Sequence, residues 1–367
     1  MTASSAVMLT DLETLVMCES PSSDHAAVAR SADVVAQLGK ERLGTAPSYE
    51  VVDGWTHLRW KFGDGPSRVL VLGHHDTVWP AGSLTTHPFV VDGGVVRGPG
   101  CFDMKGGLVM AFHALAALPS LDGVTLLVTG DEELGSPSSR SLIEAEAVGC
   151  AAALVLEASA DNGALKLERK GVSNYEIRIL GRASHAGLEP ELGVNASIEA
   201  AHQILAVAAL GDPSLGTTVT PTLLTSGTTR NTVPAAGSFM VDVRARTVAE
   251  QLRVDEAMHA LQPVLPEARL EIIGGPNRPP LERKMSDALY QRACVLASSL
   301  GLPPLRETSV GGGSDGNFTA GVGTPTLDGL GAVGGGAHAD DEHVVVAELV
   351  PRTSLLTALI ADLLERP

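Results

Sequence analysis

Residues 69–82 read VLVLGHHDTVWPAG. Four apolar residues, Val69 to Leu72, run without a polar break into Gly73, His74, His75 and Asp76. A strand with one wet face alternates polar and apolar residues, so an unbroken apolar run predicts a strand covered on both faces, as in a parallel sheet. Two similar runs follow at Val124–Thr129 and Ala152–Leu156, with helical patterns between the three at Lys105–Leu118 and Ser138–Ala147. That alternation predicts an α/β fold: a mostly parallel sheet with helices on both faces. Sites in such sheets gather at the carboxyl ends of the strands. Here the strands run into GHHD, GDEE and LEAS.

Outward from this core, Thr10 and Glu13 have capping-box spacing and predict the start of a first helix that stops before Pro21. A second helix is expected from His25 to Gly44. After about Arg169 the pattern changes. SNYEIRILG (173–181) alternates with period two, like a half-exposed strand. A helix is expected near Asn195–Leu210, strands near Thr217–Thr225 and Ser238–Arg246, a helix near Ala249–Leu265 and a strand at Arg269–Ile273. The order β-α-β-β-α-β is that of a ferredoxin-like unit. GGPNRPPLE (274–282) reads as the linker back, and a long helix is expected from Lys284. The expected organisation is a catalytic domain in two parts, 1–169 and 281–367, interrupted by a smaller α+β domain at 170–280.

The 367 residues suffice for two domains, and 19% charged residues suit a globular chain. A net charge of −17 argues against nucleic-acid and anionic-membrane partners, which would be repelled. Cys18, Cys101, Cys150 and Cys294 are scattered without paired spacing, so buried thiols are expected rather than a disulfide framework. The first twenty residues lack a basic leader followed by an apolar run, and no window is long and apolar enough for a bilayer. A cytoplasmic protein is expected.

The residues able to carry chemistry are His74, Asp76, Asp103, Glu132, Glu133, Glu157 and His338. Any one of them could be a surface acid or a satisfied core histidine. Together they are harder to dismiss, because successive strand ends carry them and GPGCFDMKGG sets Asp103 between glycine-rich turns. Adjacent Glu132 and Glu133 repel one another unless a cation or a shared proton offsets them.

The series GHHDTV, GPGCFDMKGG, TGDEELGS, LVLEAS, GRASHAG and GGAHADDEH, in this order, resembles the co-catalytic zinc carboxypeptidase and deacylase family. That family includes glutamate carboxypeptidase, aminoacylase, acetylornithine deacetylase and succinyl-diaminopimelate desuccinylase. GRASHAGLEPELGVNAS and GGGSDGNF are most similar to the glutamate carboxypeptidase branch. The resemblance implies two zinc ions per chain, replaceable by cobalt or manganese. His74, Asp103 and Glu157 would hold one, and Asp103, Glu133 and His338 the other, with Asp103 bridging. Asp76 would orient His74, and Glu132 would be the general base. His75 is left as a packing residue. His185 and Asn231 would contact the substrate, His185 from across a homodimer made by the inserted domain, and Arg278 would grip a terminal carboxylate. Arg244 is a weaker candidate for that grip and could instead pair on its strand. The implied activity is hydrolysis of the amide before a C-terminal, glutamate-like residue in N-acyl amino acids or peptides. A deacylase of other specificity is the alternative. The family often has an acid after the bridging aspartate, where this chain has Met104, and the bond between them is characteristically cis.

Two other patterns compete. Gly312–Gly316 around Ser314 fits a nucleophile elbow, with Asp328 or Asp340 and His338 or His343 following in hydrolase order. That serine-hydrolase reading leaves the upstream acids idle. Gly329, Gly331 and Gly334 have dinucleotide-fingerprint spacing, but Gly335 and Gly336 stand where a helix should begin.

Overall fold

The computed structural model describes residues 4–365. It divides into two compact units. One comprises the chain up to Glu168, Arg283–Val310 and the chain from Ser314 onward. The other comprises Arg169–Glu282 with Gly311–Gly313.

The larger unit is built on a six-stranded sheet. Val69–His74 lies between Val124–Thr129 and Ala152–Val155, parallel to both, and Thr326–Leu327 adds a parallel edge. Trp55–Lys61 and Ser48–Val52 extend the other side in antiparallel sense. Every residue of Val69–His74, Val124–Thr129 and Ala152–Val155 is buried. The cause is packing on both faces. Val69 and Val71 enter the main core with residues of helices Ser5–Val16, His25–Leu43, Gly106–Ala116 and Val346–Glu365. Leu70 and Leu72 point the other way, into a smaller cluster with Ile143, Ala147 and Phe318. This is the mainly parallel α/β sheet that the unbroken apolar runs predict.

The smaller unit has a four-stranded antiparallel sheet in the order Thr218–Ser226, Ala236–Ala245, Gly171–Leu180, Arg269–Arg278. Tyr175, Ile177 and Ile179 alternate with solvated residues and pack with Ala200 and Val254 of helices Ala196–Ala208 and Val248–His259. Asn195 and Thr247 cap those helices through side-chain oxygens.

Several element boundaries differ from expectation. The first helix begins at Ser5, so Thr10 is interior and its hydroxyl donates to the Ala6 carbonyl rather than capping. The stretch expected as the return linker is strand as far as Arg278. Its Pro276 is tolerated because this strand is the sheet edge, where one N–H face has no ladder partner. Gly274, at φ 109°, lets the backbone pass close to the Asn174 carbonyl. The helix expected to reach Leu265 stops at His259, ahead of Pro263, and the one expected from Lys284 begins at Asp287. Among the described residues no helix is long and apolar enough to cross a membrane.

Candidate metal centre

Because three neighbouring strands run parallel, their carboxyl ends fall on one edge of the sheet. His74 is the last residue of its strand, Glu132 and Glu133 form a short turn after Val124–Thr129, and Glu157 follows Ala152–Val155 by two residues. Asp103 comes from the loop before Gly106–Ala116, where the Asp103–Met104 peptide is cis, and His338 comes from a loop at φ 63°.

These side chains converge in two overlapping sets. His74 Nε2 lies 3.5 Å from Asp103 Oδ1 and 3.6 Å from Glu157 Oε1. His338 Nε2 lies 3.2 Å from both Asp103 Oδ2 and Glu133 Oε1. Asp103 thus gives one oxygen to each set. His74 Nε2, Asp103 Oδ1 and Glu133 Oε1 are buried without a well-formed hydrogen bond. Buried polar atoms rarely go unsatisfied, and here three lie together. Ligand atoms around a tetrahedral ion with bonds of about 2.0–2.1 Å stand roughly 3.3–3.4 Å apart, so these spacings fit a metal better than a hydrogen-bond network. The donor set of imidazole nitrogen and carboxylate oxygen, without thiolate, suits zinc, cobalt or manganese.

The electrostatics agree. Burial opposes charge on His74, yet the Asp103 and Asp76 carboxylates hold its proton well above the ordinary histidine range. Asp103 and Glu133 raise His338 to about 10. Burial also opposes ionisation of Asp103, but His338 and His74 drive its pKa down. Glu133 is pushed up by burial. The cluster demands positive charge among its carboxylates.

Asp76 acts somewhat differently from the expected histidine orienter. The nearest partner of His74 Nδ1 is the Asp76 backbone carbonyl at 3.0 Å, with the carboxylate at 3.4 Å. That carboxylate accepts the N–H groups of Glu132 and Glu133, each at 3.2 Å. Asp76 therefore ties the end of one strand to the turn after the next. Glu132 is largely buried on that turn and belongs to neither ligand set.

Residues not singled out in the sequence complete the frame. The Glu342 carboxylate accepts from the backbone N–H groups of Gly100, Phe102 and Asp103 at 2.9, 2.9 and 3.0 Å and from Trp79 Nε1 at 2.7 Å. It holds the loop that presents Asp103. Asp131 accepts from the backbone and hydroxyls of Ser138 and Ser139, anchoring the turn that carries Glu132. Met104 places its sulfur 2.9 Å from the His74 N–H. His75 is fully buried, with ring contacts to Ser31 Oγ and the Thr56 carbonyl, and burial lowers it to about 4. Burial raises the Cys101 thiol, whose Sγ lies 3.7 Å from the Val96 carbonyl.

The serine-hydrolase alternative fails on geometry. Ser314 is fully buried and donates to Asp328 Oδ2 at 2.6 Å, so its hydroxyl serves an internal acid. The glycines at 329–334 do not lead directly into a helix, the next one starting only at Val346.

In the smaller unit, His185 and Asn231 are exposed and adjacent: His185 bridges to Thr232, and the Ala186 N–H donates to the Asn231 carbonyl at 2.9 Å. His185 Nδ1 accepts from the Gly187 N–H. Arg278 ends its strand almost wholly buried, with Gln251 donating to its carbonyl. Arg244 pairs with Asp242 on its own strand.

Residues 70–362 match the model of Peptidase family M20/M25/M40. The chain belongs to this family. M20 membership makes it a hydrolase of a metallopeptidase family. Among M20 relatives it is 35% identical over 321 residues to carboxypeptidase G2 of Pseudomonas sp. (strain RS-16), covering 82% of this chain and 75% of that protein. It is 28% identical to succinyl-diaminopimelate desuccinylase 1 of Alteromonas mediterranea over 353 residues, 88% of this chain and 89% of the other. The fold is shared with aminopeptidase PepT from Bacillus cereus at a TM-score of 0.76 and 20% identity, covering 98% and 99% of the two chains.

Proposed function

We propose that the protein is a zinc-dependent hydrolase that cleaves the amide before a C-terminal, glutamate-like residue in N-acyl amino acids or peptides. One observation carries the reading: Asp103 is divided between two ligand sets, while Glu132, fixed on the same turn as Glu133, is left outside both. A purely structural site needs no such spare acid. The likeness to carboxypeptidase G2 supports a carboxypeptidase-type cleavage.

Two zinc ions held by these sets would polarise the scissile carbonyl and make a water molecule acidic. Glu132 takes the water's proton on a carboxylate oxygen as the hydroxide adds to the acyl carbon. It then returns the proton to the amine nitrogen as the C–N bond breaks. Asp76 keeps the Glu132 backbone in register with His74 during both transfers. In this reading the inserted domain at 170–280 pairs with its copy. His185 then donates to the oxyanion in the partner's site, Asn231 assists, and Arg278 holds the terminal carboxylate through its bidentate fork. The protein acts in the cytoplasm on small substrates.

The desuccinylase relative favours a second reading, a deacylase of different amino-acid specificity at the same centre. Zinc-loaded protein assayed on N-acyl amino acids that differ only in the terminal residue separates the two. Metal analysis showing under one ion per chain after zinc addition, or activity unchanged by a chelator, would overturn both.

A further inference from the structure

Arg352 lies in the second turn of helix Val346–Glu365 and is only 5% exposed. One guanidinium N–H donates to the Gly163 carbonyl at 3.2 Å and another to the Gly329 carbonyl at 2.6 Å. Those bonds satisfy some of its donors but none of its charge, and its Nε is buried without a hydrogen-bond partner. Arg352 forms no ion pair with any described residue. Burial draws its pKa down to about 10, and Glu348, one turn earlier on the helix, opposes this only through space. By contrast Arg42, Arg59 and Arg292, all more exposed, each hold a carboxylate, of Asp11, Glu146 and Asp362. A buried cation without a counter-charge is costly.

Arg352 lines a cavity of about 510 Å³, wholly within the larger unit. Leu302, Pro304, Val333 and Val345 give it apolar walls, and Arg306 and Glu348 are its other charged residues. Arg306 is exposed, and its guanidinium forms no hydrogen bond or ion pair with any described residue. The walls thus set two cations against one acid, in a chain of net charge −17. None of the lining residues is a candidate metal ligand or the candidate base, and none is next in sequence to one.

We propose that this cavity binds an amphiphilic monocarboxylate, with its head on Arg352 and Arg306 and a short apolar chain against Leu302, Val333 and Val345. The head supplies the counter-charge that the fold withholds from Arg352. A planar guanidinium fork suits a carboxylate, and apolar walls disfavour a fully hydrated anion such as inorganic phosphate. The site lies outside the reaction and does not depend on the hydrolase reading.

Hexanoate is the probe, titrated by calorimetry into zinc-loaded protein. Hexanol keeps only its chain and acetate only its head. Hexanoate should bind at least about tenfold more tightly than either, from the charge-assisted bonds in one case and the buried methylenes in the other. Arg352→Gln should remove the preference over hexanol. Because Arg352 also supports two loops, half-buried Glu348 and exposed Arg306 provide readings that do not disturb them. Glu348→Gln should tighten hexanoate by about threefold or more, and Arg306→Ala should weaken it by a similar factor. If Arg352→Gln does not fold, these opposite changes decide the matter. Hexanoate bound no better than hexanol overturns the proposal, as does tighter binding of inorganic phosphate. So does a hexanoate affinity that none of the substitutions alters, which would place the carboxylate on zinc.

Discussion

The two units present their candidate residues in opposite ways. In the larger one, His74, Glu133 and Glu157 stand at or just beyond the ends of strands buried on both faces, and three candidate ligand atoms are sealed from water with no hydrogen bond. In the smaller one, the sheet is helix-covered on one face, and His185 and Asn231 are exposed at a turn. The difference teaches that the first set is organised by its own scaffold. The second holds no buried chemistry at His185 or Asn231.

The strongest attack on this comparison is at Glu132. Glu132→Gln should lower kcat by roughly 10²–10⁴ while two metals remain bound. Glu133→Gln should lower metal content instead. Identical behaviour of the two in both assays would erase the distinction between base and ligand. Next comes His185→Ala, with a loss of roughly 10²–10³ if its imidazole supports the oxyanion. Mixed with Glu132→Gln under subunit exchange, it should recover activity, since one site of each mixed dimer carries neither change. No recovery, with exchange verified by mass, would remove His185 from a partner's site. Glu342→Gln should weaken metal affinity by roughly 10–100-fold without touching a ligand, and zinc titration reads it directly. Unchanged affinity would mean that the Asp103 loop holds its shape unaided. The smallest effect concerns independence of the units. Asp24→Ala and Asn195→Ala each remove a helix cap and should cost about 1 kcal/mol. If the units unfold separately, each change should move a different calorimetric transition; one shared shift would show a single cooperative unit.

The strand ends were legible because Val69–Leu72 and its two counterparts are unbroken apolar runs that stop at acids or histidine. Asp103 sits in a loop, and its place was legible only through the ordered family motifs. Glu342 was not legible: it follows Asp340 and Asp341, and nothing in three consecutive acids says which one turns inward to collect four hydrogen bonds. The Thr10 and Glu13 pair misled because residues 5–9 contain no helix breaker, so the helix began upstream of a well-formed start signal. Gly274 to Arg278 misled in the opposite direction, since an edge strand tolerates glycine and proline that a central strand would reject.

The parallel strands that end at the metal centre also restrict how this chain can change in length. A residue added or removed within Val69–His74 would exchange the faces of Val71 and Leu72 and turn His74 through the sheet, because side chains alternate with a period of two. A shift of one position is about 3.3 Å along the strand, farther than a metal–ligand bond can stretch. Insertions and deletions are therefore excluded from the strands and confined to connections that carry no ligand. The exposed turn at residues 63–66, between Trp55–Lys61 and Val69–His74, is one such connection, and there the chain can grow or shrink without disturbing the spacing of its acids and histidines.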